Sequence, residues 1–213
     1  MAATASKFAF FTLAAVSCAT VPARATDPRY PDWPCQQLKV PGISVASVWT
    51  GPPIDSIDQQ QLAELKNSDL VERLAARRTP MNEVRKLIEG FVAQAGATKQ
   101  VRATTLFAEL YSILDAQRNE VMNGIERFSR KEKTMAEEIR AKTRKMQQLQ
   151  DAGGGNQAEI GDLANQLAWE TRIFDDRRTS MSYVCEVPVL IQKRLFELGR
   201  AIQDVANPNP AAN

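Results

Sequence analysis

DAGGGN, Asp151 to Asn156, is the stretch on which the fold turns. Three successive glycines do not propagate a helix cheaply, because glycine loses more backbone freedom on ordering than any other residue. The residues on both sides carry a helical pattern. From Thr98 to Gln150 there is no proline and one glycine, Gly124. Apolar residues recur there at Leu106, Leu110 and Ile113, then at Ile125, Phe128, Met135, Ile139, Met146 and Leu149, mostly in steps of three and four or their sums.

Beyond the glycines the pattern is more regular. Ile160, Leu163, Leu167, Glu170, Phe174, Arg177, Met181, Val184, Pro188, Ile191, Leu195, Leu198, Ile202 and Val205 alternate steps of three and four. That is a coiled-coil-like heptad seam, interrupted at Glu170, Arg177 and Pro188. Two such helices around a turn at residues 151–156 predict an all-α fold built on a long antiparallel helical hairpin. At about 1.5 Å per residue, each arm is on the order of 75 Å long. An interior proline predicts a kink or break at Pro188. Placing Leu149 opposite Ile160 sets Cys185 opposite roughly Gly124, and the amino-terminal segment is expected to cross the hairpin at that level.

Towards the amino terminus, Thr79-Pro80 predicts a cap and first helical position for a helix to about Ala95, with Val84, Leu87, Ile88, Phe91 and Val92 on its apolar side. Two shorter amphipathic pieces, about 56–66 and 68–78, precede it, the first opening on the capping-box spacing Ser56-Ile-Asp-Gln59. Residues 56–96 thus form a small helical head, and 97–207 the hairpin. Residues 26–55 contain Pro28, Pro31, Pro34, Pro41, Pro52 and Pro53 and read as non-helical. Because they also carry Leu38, Val40, Ile43, Val45 and Val48, they predict an extended strap laid over a helical groove, with Trp33 and Trp49 as its anchors. Residues 208–213 predict a disordered tail.

Residues 1–25 have the order of a secretory signal: Lys7, an apolar run from Phe8 to Val21, and Ala23-Arg24-Ala25 at the cleavage site. The run is shorter than the roughly 18 apolar residues that a membrane span needs. An alternative is a lipoprotein anchored at Cys18, although Ala15 stands where leucine is usual. The mature chain is expected to be secreted, most simply to a bacterial periplasm. There the 27 basic and 25 acidic residues of the whole chain lose Lys7 and Arg24 and balance at 25 each. That balance argues against nucleic acid as a partner.

The whole chain has no histidine. This excludes histidine general bases, Ser-His and Cys-His nucleophiles, and histidine-held metals or haem. Asp175-Asp176 are adjacent and so point about 100° apart on a helix, which suits salt-bridged surface better than an acid–base pair. No phosphate loop, nucleophile elbow or calcium loop is present. No catalytic residue, metal site or cofactor is expected. Export leaves two cysteines, Cys35 and Cys185, 150 positions apart, and the expectation is one structural disulfide. Intermolecular bridging is the alternative.

The first arm's distal half is rich in cations, among them Arg140, Lys142, Arg144 and Lys145, with Glu138 to Lys142 as an intrahelical pair. Glu170 and Arg177, both on the seam, suggest contact with a further helix. Arg140 and Arg144 join them as candidate partner contacts. The expected function is a non-enzymatic scaffold, adaptor or chaperone-like protein-binding module of the cell envelope, meeting another envelope protein or a second copy through the hairpin. The competing expectation is a small-ligand-binding protein or enzyme with a pocket beneath the strap.

Overall fold

The computed structural model describes residues 27–66, 68–153 and 156–207. The expected signal segment and tail, and Cys18, lie outside them. The described residues form helices and no strands: α1 (Val45–Val48), α2 (Gln59–Leu65), α3 (Asp69–Ala75), α4 (Met81–Ala93), α5 (Lys99–Asp151) and α6 (Gln157–Ala206), with short 3-10 turns at Ile54–Ser56 and Gly96–Thr98. The protein is all-helical, and a helix of 53 residues packs against a carboxy-terminal helix of 50.

Local chemistry sets the helix ends. The side chain of Asp58 accepts from the Gln60 amide at 2.8 Å and that of Ser68 from Val71 at 3.3 Å, each meeting an amide that the first turn leaves without a partner. Asn156 starts α6 in the same way, accepting from Ala158 at 3.1 Å. Gly153 takes φ +65°, the left-handed conformation that ends α5 at low cost.

Three local expectations are corrected. Ser56 is not a cap; its hydroxyl donates to the Pro53 carbonyl at 3.0 Å, and the helix opens two residues later on Asp58. The strap is not extended throughout, because Val45 to Val48, a window free of proline, closes one helical turn with the Trp49 amide donating to the Val45 carbonyl at 2.9 Å. Pro188 does not break the last helix, which runs unbroken from Gln157 to Ala206 with Pro188 buried inside it. The missing proline N–H leaves the Val184 carbonyl without its helical donor, and one residue on, Gln37 Nε2 of the strap donates to the carbonyl of Cys185.

A single large core holds Leu74 and Val71 of α3, Val84, Ile88 and Val92 of α4, Leu106, Phe107, Leu110 and Leu114 of α5, and Leu195, Leu198 and Ile202 of α6. The short helices therefore pack on the start of α5 and the end of α6. Arg194 is buried among them. Its Nη2 donates to the carbonyls of Leu74 at 2.7 Å and Ala76 at 3.0 Å, and its Nε to Leu74 at 3.0 Å. These are carbonyls at the end of α3, where a cation is favoured by the helix dipole. Burial holds its pKa below the ordinary value.

Away from this core the two long helices have little else to pack on. Among the described residues between Arg130 and Val184, only Leu163 and Leu167 are buried. Ion pairs join Lys145 to Glu159 at 3.0 Å and Arg177 to Glu132 at 3.3 Å, so positions rise along α6 as they fall along α5.

Candidate functional site

The strap runs lengthwise along α5 rather than crossing it at one level. Asp32 meets Lys133 at 2.8 Å and Arg130 at 3.1 Å, and these two cations, Lys133 first, hold its carboxyl below the usual range. Trp33 is buried against Met122 and Ile125, with its indole N–H donating to the Gln37 carbonyl at 2.7 Å. Cys35 and Cys185 form a disulfide. Further along, Lys39 pairs with Glu126 at 2.6 Å, Arg118 Nη2 donates to the Val40 carbonyl at 2.7 Å, and the Tyr111 hydroxyl donates to the Ile43 carbonyl at 2.7 Å. Trp49 ends the run, stacked on Phe107 with ring centres 4.3 Å apart.

Backbone carbonyls of the strap are thus met by side chains of α5. That answers the problem posed by an irregular segment, which has no ladder of its own to satisfy its polar groups. Gly124 plays no part in the approach, since a Cβ there would meet only the Arg127 side chain, at 3.8 Å. Gly199 does, because its missing side chain makes room for the Val48 carbonyl.

Between Lys39 and Trp49 the strap buries Ile43, Val48 and Trp49 in the core. Beside Pro34 to Gln37 the groove opens into a cleft of about 520 Å³ between α5 and α6, walled by Phe128, Phe174 and Met181 with Glu132 and Arg178 among its polar groups. Glu132 Oε1 accepts from Arg177, while its Oε2 is buried without a partner. The cleft offers an apolar floor with the carboxylates of Glu132 and Glu186 and the hydroxyls of Ser129 and Ser182 among its polar groups. Among the described residues no cluster of three or more cysteines and carboxylates is placed to hold a metal.

The distal residues singled out in the sequence are placed as follows. Glu170 lies on the seam, where Oε1 accepts from Lys142 and from Gln166, the latter at 3.0 Å. The Lys142 contact holds its carboxyl below the ordinary value despite partial burial. Lys142 therefore pairs across to α6 rather than with Glu138 on its own helix. Arg177 reaches Glu132 and the Met135 sulfur. Arg140 is exposed and pairs with Glu137, three residues back. Arg144 is exposed, and so is Trp169, which keeps 64% of its surface in solvent.

No family model, curated protein or solved structure matches this chain. Its disulfide is compatible with an exported protein, and among the described residues no helix is long and apolar enough to cross a membrane.

Proposed function

We propose that this is a non-enzymatic adaptor or scaffold of the bacterial cell envelope, exported after loss of residues 1–25, in which α5 and α6 form an antiparallel, coiled-coil-like hairpin that engages another envelope protein. The observation that carries the reading is Trp169. A tryptophan 64% exposed is unusual for a residue that normally buries its large apolar surface, and this one sits on the stretch of α6 where, among the described residues, only Leu163 and Leu167 are buried. Exposed tryptophan, flanked here by arginine at position 172, is the composition of a protein-binding hot spot. The fastened strap and shared core give the arm a rigid root.

The test is photo-crosslinking in cells from a photoreactive residue placed at position 169, at 144 or, as control, at Glu89 on α4. The same protein captured from 169 and 144, and lost with Trp169→Ala elsewhere on a chain probed at 144, supports the reading. Capture from Glu89 alone, or equal capture with Trp169→Ala, removes it.

One observation favours a second reading, a small-molecule site in the cleft at the disulfide: the buried, unpartnered Glu132 Oε2 invites a donor-bearing ligand with an apolar body. Fragments that raise the melting temperature of the parent but not of Ser182→Trp, which fills the cleft, support it. A library with no cleft-dependent binder discards it.

A further inference from the structure

Near its end α6 is apolar on two sides. The inner side carries Cys185, Pro188, Ile191 and Leu195 into the protein. On the outer side Tyr183 is 70% exposed, Val189 54%, Leu190 44% and Phe196 42%, with Glu186 and Lys193 exposed between them. At about 100° per residue these six positions fall within about 70° of one line along the helix. A helix apolar on two opposed sides is the pattern of one packed between neighbours, and among the described residues the outer side stays exposed, bordered by Ser47 and Val48 of the strap beside Val189, Lys193 and Phe196.

We propose that this outer face binds a second copy of the chain, α6 against α6, antiparallel, about a two-fold axis level with the Val189–Leu190 peptide. A two-fold contact must be self-complementary, and charge selects the arrangement. In a parallel pairing Glu186 would face Glu186 and Lys193 would face Lys193. In the antiparallel pairing centred between Val189 and Leu190, Glu186 lies as far before the axis as Lys193 lies after it, so each carboxylate meets the other copy's ammonium, two ion pairs in all. Val189 and Leu190 then face their counterparts on the axis, with Tyr183 and Phe196 closing the two ends of the stripe. Glu186, at the edge of the disulfide cleft, has no ion-pair partner among the described residues, and Lys193 has a long contact of 3.9 Å with Glu197 that an outward pair would replace.

The pairing holds the two arms apart. From the axis to the start of α6 is some 32 residues, about 50 Å, so the two arm tips point in opposite directions about 100 Å apart. The inference does not depend on what the arms bind.

Sedimentation equilibrium of the mature, oxidised chain from micromolar to sub-millimolar concentration tests it. The expected species is a non-covalent dimer. Glu186→Lys and Lys193→Glu each weaken it by about ten-fold or more, and the double exchange returns it to within about three-fold of the parent. Circular dichroism confirms that these exposed exchanges leave the fold intact. A monomer at every concentration, a dimer indifferent to the single exchanges, a double exchange that stays dissociated, or a dimer held by disulfides each overturns the proposal.

Discussion

The carbonyl oxygen of Val48 occupies the space that a side chain at Gly199 would need: a Cβ there would lie 2.3 Å from that oxygen and 3.2 Å from the Phe107 ring. A glycine inside a helix is ordinarily a cost of about 1 kcal/mol relative to alanine. Here it admits the strap's short helix to the surface of α6, and brings Trp49 onto Phe107.

Gly199→Ala is therefore expected to destabilise the protein by about 1 to 3 kcal/mol, since backbone rather than a flexible side-chain tip must move. Gly161→Ala, on the same helix with nothing within 4 Å of the new Cβ, is expected to gain about 0.5 to 1 kcal/mol. Urea midpoints of the two variants decide the matter. Equal gains from both would mean that the strap does not rest on α6 at Gly199.

The two buried arginines should respond in opposite ways. Arg194 satisfies the end of α3 through three donated bonds, and Arg194→Met is expected to cost about 3 kcal/mol as those carbonyls lose their donors. Arg118 donates once, to Val40, while its Nε and Nη1 are buried without partners and burial lowers its pKa. Arg118→Met should stay within about 1 kcal/mol of the parent, or stabilise it, because a poorly satisfied cation is exchanged for apolar volume. A large loss with Arg118→Met would show that the Val40 bond outweighs the desolvation.

Cys35→Ser with Cys185→Ser removes a link across 150 positions. In the chain-entropy view its loss costs about 4 to 5 kcal/mol. The helices are expected to persist, because the strap keeps Trp33, Lys39 and Trp49 as independent attachments. Chemical denaturation with far-ultraviolet circular dichroism reads both quantities. Complete loss of helix in the double variant would show that these attachments do not suffice.

Features with a local cause were legible in the sequence. Gly153 ends a helix because of what glycine is, and seam residues such as Leu163, Leu167 and Leu195 announce their burial by spacing alone. The long-range features were not. Nothing near Arg194 in the chain marks it as the cap of a helix more than a hundred positions away, and Gly199 looks like any helical glycine until Val48 is placed against it. Pro188 was read by its local cost alone, whereas its burial within an unbroken α6 depends on packing by residues far away in the chain. At the candidate site, the disulfide was legible from compartment and cysteine count, whereas the cleft beside Cys35 arises from the spacing of two helices and has no local signature.

Acid should loosen the arm through Glu170. Its folded pKa lies below the ordinary 4.5, chiefly because Lys142 bonds to it, whereas in the unfolded chain it reverts to that ordinary value. A carboxyl depressed on folding binds fewer protons in the native state, so its stabilising effect is complete above pH 4.5 and fades as pH falls through the lower, folded value. Asp32, held down by Lys133 and Arg130 from an ordinary 3.8, follows the same sign in a window beginning lower. Stability measured between about pH 5 and pH 3 should thus fall more steeply for the parent than for Glu170→Gln, which cannot titrate. Added salt should reduce the contribution of Asp32, whose side chain is 30% exposed, more than that of Glu170 at 19%. Identical pH slopes for parent and Glu170→Gln would mean that the Lys142 contact does not hold in solution, and that the arm's seam is joined there by its apolar residues alone.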